Sequence, residues 1–182
     1  MLTLANQLTL LRMGLVPLLV VLVLNAQHAW ALAVFVAAGI TDLLDGFFAR
    51  RRGGITKLGV MLDPVADKLL LGSSYVVLTW APGLVCPLPI WLTVLLLSRD
   101  AIIVVSVVVV NLAVERRVFY PSLLGKLSTG AQVVTAGLAL LVNTLGVCPS
   151  AMRFVYAATA AFTVGSALHY VYTASGRRAP TP

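Results

Sequence analysis

The chain has 182 residues, of which 60% are hydrophobic and only 10% are charged, and its mean hydropathy is +1.00. This composition excludes an ordinary soluble domain and leaves room for about six membrane spans of ~20 residues with little loop between them. The net charge of +7 does not indicate nucleic-acid binding, because the basic residues stand at the ends of apolar runs and not among aromatic residues on one face.

The apolar runs predict an all-α protein with six transmembrane helices, forming a single membrane-embedded domain over residues 1–182. A weakly amphipathic segment at about 1–8 is expected at the membrane interface, and a polar tail covers about 174–182. Asp63 followed by Pro64 is typical of a helix start, so the third span is expected to begin near Gly59 or Asp63. The predicted spans cover about 8–25, 29–49, 59–80, 88–114, 122–142 and 152–173.

The basic residues indicate how the chain is oriented in the membrane. Most of them fall in the second loop, the fourth loop and the C-terminal tail: Arg50, Arg51, Arg52, Lys57, Arg116, Arg117, Arg177 and Arg178. The other three loops carry no Lys or Arg. Arg153, near the predicted outer end of the sixth span, is the one basic residue that mildly disagrees with this pattern. The positive-inside rule therefore predicts a protein of the cytoplasmic membrane with both termini facing the cytoplasm.

Two cysteines, Cys86 and Cys148, fall in loops on the outer side of this predicted topology. An oxidising exterior would permit a disulfide between them. Two isolated cysteines in an apolar context are more often free thiols, and we interpret them as such.

The stretch from residue 41 to residue 68 holds four of the six acidic residues: Asp42, Asp45, Asp63 and Asp67. Within each pair the spacing is three or four residues, so both members project from one face of a helix. Four carboxylates near a bilayer require neutralising cations, and oxygen ligands favour Mg²⁺, Mn²⁺ or Ca²⁺. The pattern predicts a divalent-metal site that handles a phosphate ester. The alternative is that these aspartates cap helices or pair with nearby arginines.

The spacing D-x-x-D-G-x-x-A-R, followed eight residues on by G-x-x-x-D-x-x-x-D, resembles the signature of the CDP-alcohol phosphatidyltransferase family. The matching positions are Asp42, Asp45, Gly46, Ala49, Arg50, Gly59, Asp63 and Asp67. The resemblance implies that family's helical bundle, a homodimer in the membrane, and displacement of CMP from CDP-diacylglycerol by an alcohol.

The resemblance also implies roles for these residues. Asp67 is the expected catalytic base and also a metal ligand, and the other three aspartates are expected to share the binding of two Mg²⁺ or Mn²⁺ ions. The cytidine-nucleotide pocket is expected at Asp42, Gly46, Ala49, Arg50 and Gly59.

Three basic residues outside the signature, Lys126, Arg99 and Arg117, are candidates for binding the acceptor alcohol. Arg99 is notable because a charge at a helix centre costs ~2.5–3.5 kcal/mol on insertion scales. Its neighbour Asp100 points about 100° away around the helix, so we expect each to find its partner on another span. An interhelix ion pair is as good an explanation of Arg99 as acceptor binding.

Three strings resemble the glycerol-acceptor branch of the family, which uses glycerol 3-phosphate or phosphatidylglycerol: residues 6–12, 98–100 and 121–132. Asp100 stands where the phosphatidylglycerophosphate synthases of that branch usually have Glu, which favours the cardiolipin-forming reaction. Acceptors such as inositol phosphate or serine stay open. A divalent-cation transporter is the alternative from another class, but it predicts carboxylates at mid-membrane and in repeated halves.

Overall fold

The computed structural model describes residues 4–52, 57–113 and 123–176, with side chains over 10–42, 66–105 and 123–170. Over these residues the chain forms six α-helices and no β-strand, which confirms the all-α prediction. The helices are α1 (Leu4–Leu24), α2 (His28–Arg52), α3 (Lys57–Trp80), α4 (Ile90–Ala113), α5 (Leu123–Leu145) and α6 (Met152–Gly176).

The start of α3 agrees with the earlier of its two expected positions. The helix begins at Lys57, two residues before Gly59, so Asp63 and Pro64 lie inside it and the alternative start at Asp63 is wrong. Pro64 is the eighth residue of the helix, where it cannot donate a backbone hydrogen bond to the carbonyl of residue 60, yet the helix continues through it. As a result the predicted pair of Asp63 and Asp67 belongs to one unbroken helix.

The chain divides into two compact units. The first contains the described parts of residues 1–89 together with 136–149, and the second those of 90–135 and 150–182. The first half of α5 therefore belongs to the second unit and its second half to the first unit.

In the first unit, α1 packs against both α2 and α3. Leu19 and Val23 are buried on α1, and Ala31, Phe35 and Ala38 are buried on α2. The spacings of three, four and seven residues put each set on one face of its helix. The alanines keep the α2 face small, so the backbones of neighbouring helices can approach closely.

The loop after α3 is fixed to the end of α5 within the same unit. Cys86 and Cys148 form a disulfide with a Cα–Cα distance of 5.1 Å, so the interpretation of free thiols is wrong. The amide of Asn143 accepts a hydrogen bond from the Cys86 N–H at 3.0 Å and donates one to the Cys86 carbonyl at 3.0 Å. Sixty-one residues separate the cysteines in sequence, and only the packing of the helices shows that their loops meet.

In the second unit, α4 packs against α6, and hydroxyl groups connect α5 with α6. Thr135 and Thr159 are hydrogen-bonded at 2.6 Å, and Ser128 and Thr163 at 3.4 Å. All four side chains are buried. Small hydroxyl residues at a helix contact permit close approach and satisfy their own polar atoms there.

One helix within the described part of the chain, α5, is by itself long and apolar enough to cross a membrane. Two shorter apolar helical stretches, Leu10–Leu24 and His28–Asp42, lie on α1 and α2. The six-span topology therefore stays a prediction.

Candidate active site

The guanidinium of Arg12, on α1, holds carboxylates of two other helices. Its Nη2 lies 2.9 Å from Oδ1 of Asp42 on α2, and its Nη1 donates a hydrogen bond of 2.5 Å to Oδ1 of Asp67 on α3. The first and the last aspartate of the motif therefore meet at one cation. Of the four aspartates, the two whose side chains are described therefore lie close together, and the convergence of all four stays a prediction.

Burial is very uneven across this group. The side chain of Arg12 is 1% exposed, whereas those of Asp42 and Asp67 are 49% and 46% exposed. The arginine thus reaches the carboxylates from the protein interior, and about half of each aspartate faces outward. A solute that binds these aspartates can approach from the exposed side without displacing a helix.

The helix faces explain why these side chains meet. Arg12 lies seven residues before the buried Leu19 on α1, and Asp42 lies four residues after the buried Ala38 on α2. Each charged residue therefore continues the apolar face that packs its helix against the neighbour. On α3, Asp67 directly follows the buried Ala66.

The side chains of several predicted site residues lie outside the described part of the structure. Their backbones lie on α2 and α3, and they are Asp45, Gly46, Ala49, Arg50, Gly59 and Asp63. Arg117 falls outside the described residues altogether. The proposed nucleotide pocket and two of the four predicted metal ligands therefore stay predictions.

The chemistry of the described residues fits a hard divalent cation. Carboxylate oxygens are the ligands that Mg²⁺ and Mn²⁺ prefer, and Asp42 and Asp67 present them from adjoining helices with exposed area. Among the described side chains no cluster holds three or more histidine, cysteine or acidic residues. The complete donor set thus depends on Asp45 and Asp63.

Arg99 of α4 is 8% exposed and has two recorded partners. Its Nη1 donates to Oδ1 of Asp100 at 2.8 Å, and its Nη2 donates to the hydroxyl of Ser166 on α6 at 2.9 Å. The expectation that Arg99 and Asp100 do not pair with each other is wrong, because the long arginine side chain bends back to the neighbouring carboxylate although the two residues diverge at Cα. The contact with another helix is made to a hydroxyl group.

Lys126, on the first turn of α5, is exposed. It belongs to the second unit, as Arg99 does. Its exposure is compatible with binding a solute and with a simple cationic helix end.

Sequence reasoning missed Arg12 as a partner of the aspartates. Among the sequence patterns, Arg12 falls only in the string of residues 6–12 that resembles the glycerol-acceptor branch. One signal was present: Arg12 is the only Lys or Arg among the first 49 residues. A lone charge before a long apolar run needs a partner, and the aspartates are the nearest acidic residues in sequence.

Comparison with known proteins gives consistent results. A family model described as CDP-alcohol phosphatidyltransferase matches residues 2–167. The chain is 39% identical over 175 residues to a probable phosphatidylglycerophosphate synthase of Mycobacterium tuberculosis, across 92% of this chain and 79% of that protein. It is 40% identical over 138 residues to a CMP-forming cardiolipin synthase of Streptomyces coelicolor, across 70% and 60%.

A third relative is the CDP-diacylglycerol–glycerol-3-phosphate 3-phosphatidyltransferase of Bacillus subtilis, 29% identical over 158 residues and aligned across 79% of both proteins. The names of all three relatives agree with the glycerol-acceptor branch that residues 6–12, 98–100 and 121–132 resemble. Because the family model matches most of the sequence, the resemblance is confirmed: the chain belongs to the CDP-alcohol phosphatidyltransferase family.

Proposed function

We propose that this protein transfers a phosphatidyl group from CDP-diacylglycerol to a glycerol-type alcohol and releases CMP. The acceptor is glycerol 3-phosphate or phosphatidylglycerol, the two acceptors of the branch that the relatives' names indicate. The observation that carries the proposal is the meeting of Asp42 and Asp67 at Arg12, in a chain that matches the family over nearly its whole length.

The four aspartates would hold two divalent ions, Mg²⁺ or Mn²⁺, which would neutralise the pyrophosphate of the donor and stabilise the departing phosphate. The family is generally dependent on divalent metals. In the transfer, the hydroxyl oxygen of the acceptor forms a bond to the phosphatidyl phosphorus, and the bond from that phosphorus to the CMP oxygen breaks. The hydroxyl proton passes to Asp67, acting as general base.

The cytidine nucleotide is assigned to the residues that follow the first aspartate. Gly46 and Gly59 lack side chains, so a ligand can approach the helix backbone there, and Ala49 is nearly as small. Arg50 offers a planar fork of donors to phosphate. Asp42 completes this set.

The acceptor is assigned to cationic residues outside the motif. Both candidate acceptors carry a phosphate, so a fixed cation would orient the attacking hydroxyl. Lys126 is the first choice because its ammonium is exposed, Arg99 is second because it is already held by Asp100 and Ser166, and Arg117 is third.

We also infer that the protein spans the cytoplasmic membrane six times, with both termini in the cytoplasm, and acts as a homodimer. The three tryptophans support a membrane-spanning topology, since Trp30, Trp80 and Trp91 are 68%, 59% and 54% exposed. Trp30 and Trp80 stand at the start of α2 and the end of α3, the ends of these helices away from the aspartate motif, and Trp91 stands at the start of α4. Exposed tryptophan at helix ends is typical of the membrane–water interface.

The test is CMP release from CDP-diacylglycerol by the purified protein, with glycerol 3-phosphate, phosphatidylglycerol, an inositol phosphate and serine supplied in turn. Each mixture is run with Mn²⁺, with Mg²⁺ and with EDTA. Release that needs both a divalent ion and one of the two glycerol-type acceptors supports the proposal and identifies the acceptor.

Release with inositol phosphate or serine alone would contradict the acceptor class. No release with any alcohol, together with Mn²⁺ uptake into proteoliposomes that contain the protein, would favour a cation transporter instead.

A further inference from the structure

The charge arrangement around Arg12 does more than connect three helices. Two carboxylates from α2 and α3 share one guanidinium that is 1% exposed. Without a cation between them, two carboxylates that approach the same point would repel each other. A buried arginine without anionic partners would be equally unfavourable. The positive charge of Arg12 and the negative charges of the two aspartates therefore stabilise each other in this position.

We propose that Arg12 is an internal counter-cation: it offsets the charge of Asp42 and Asp67 and holds them at a fixed separation before any divalent ion binds. Arg12 is then a positioning residue, and α1 is part of the active-site framework as well as a span. The identity of the ions rests on the proposed function, whereas the electrostatic role of Arg12 rests on the three contacting side chains.

The geometry supports a fixed role for Arg12 that is separate from the binding of divalent ions. The guanidinium is buried, whereas about half of each aspartate side chain is exposed and accessible to an ion. A planar fork can hold two carboxylates at once, which an ammonium group does less well. The site is thus preorganised by a charge that does not leave, and divalent ions add to it.

This proposal predicts a specific link between Arg12 and metal dependence. With Arg12 present, removal of divalent ions should change the melting temperature little, because the carboxylates stay neutralised. With Arg12 replaced by glutamine, the carboxylates have only the external ions to neutralise them. The variant should therefore become strongly dependent on divalent ions for its stability.

The experiment compares wild type, Arg12→Gln, Arg12→Lys and Arg153→Gln, each purified in the same mild detergent. Arg153 is an exposed arginine at the start of α6 and serves as the matched control. Melting temperature is measured in EDTA and in excess Mn²⁺, and Mn²⁺ binding is measured by the loss of the free-ion signal in electron paramagnetic resonance.

We expect Arg12→Gln to melt roughly 10 °C below wild type in EDTA and to recover at least half of that loss in Mn²⁺. Arg12→Lys should lie between the two, and Arg153→Gln should match wild type in both solutions. Mn²⁺ should still bind to Arg12→Gln, because removing a cation beside the ligands does not weaken their attraction for an ion.

An equal loss in EDTA and in Mn²⁺ would overturn the proposal, since a merely structural ion pair does not respond to added ions. Failure of wild type to bind Mn²⁺ would overturn it as well. If Arg12→Gln does not fold, the same comparison is made with Arg12→Lys. Ion-dependent melting of the variant without CMP release from wild type would contradict the proposed reaction and leave this inference intact.

Discussion

The two ends of the first unit are stabilised by different kinds of interaction. At the aspartate end, defined by Arg12, Asp42 and Asp67, three charged side chains meet and two of them are half exposed. At the disulfide end, defined by Cys86, Cys148 and Asn143, a covalent bond and neutral hydrogen bonds fix the chain. Asp67 lies 13 residues before the end of α3, which places about 20 Å of helix between it and the loop that follows.

The difference shows that one small unit combines contacts with opposite sensitivity to dissolved ions. The contacts of the disulfide end are permanent and do not depend on what is dissolved nearby. The contacts of the aspartate end are electrostatic and respond to cations, phosphates and salt. The disulfide joins the loop after α3 to the loop after α5, so the first unit combines one contact that is independent of dissolved ions with one that responds to them.

The largest expected effect comes from Asp67→Asn at the aspartate end. An amide fits the space of the carboxylate but cannot accept the proton of the acceptor, so CMP release should fall by roughly 10²–10⁴-fold. Binding of CDP-diacylglycerol should be largely kept, which equilibrium binding in detergent would measure. Asp45→Asn is the comparison: loss of a ligand should weaken Mn²⁺ binding too. Near-normal turnover of Asp67→Asn at saturating Mn²⁺ would refute the assignment of the base.

The next effect comes from removing the disulfide with Cys86→Ala and Cys148→Ala together. Opening a loop of this length should cost up to about 4 kcal/mol of stability, seen as a lower melting temperature. CMP release at low temperature and its dependence on Mn²⁺ should not change, because the bond lies at the other end of the unit. A changed dependence on Mn²⁺ would show that the disulfide end and the aspartate end are coupled, and would refute their independence.

A smaller effect is expected from Asn143→Ala, which keeps the disulfide but removes the amide that bonds Cys86. The N–H and carbonyl of Cys86 would lose their side-chain partner, at a cost of about 2–3 kcal/mol. Thr144→Ala is the matched control, since Thr144 is exposed and its hydroxyl bonds only the carbonyl of Leu140 in its own helix. Similar melting temperatures for the two variants would show that the Asn143 contacts contribute nothing measurable.

The smallest effect is expected from Lys126→Ala at the other end of α5. The KM for the acceptor alcohol should rise roughly tenfold while the KM for CDP-diacylglycerol changes little, because one charge-assisted contact to phosphate is lost. Lys126→Arg should restore most of the affinity. A change confined to the donor would move Lys126 into the nucleotide pocket, and no change in either KM would leave it a cationic helix end.

The sequence predicted the helices and a common location for Asp42 and Asp67, because apolar runs and three- or four-residue spacings are local patterns. It did not predict that Arg12 joins them. That contact depends on how α1 packs against α2 and α3, which no local pattern encodes. The isolated position of Arg12 before a long apolar run indicates that it needs an acidic partner, but not which acidic residue that partner is.

The disulfide was missed for a related reason. The proposed topology placed Cys86 and Cys148 on one side, yet bonding requires their Cα atoms to lie about 5 Å apart, and sequence gives no such distance. Arg99 illustrates a third limit: helix geometry fixes the direction of Cα–Cβ bonds but not where long, flexible side chains end. The pairing of Arg99 with Asp100 follows from side-chain reach.

The redox state of Cys86 and Cys148 also indicates the orientation in which the protein was inserted into the membrane. Disulfides persist in oxidising compartments and are reduced in the cytosol. A chain inserted with these loops outward keeps the bond, whereas an inverted chain presents two thiols. Because these are the only cysteines in the sequence, the mass added by a thiol-alkylating reagent in intact cells would count inverted molecules directly, without any fused domain that could itself disturb the orientation.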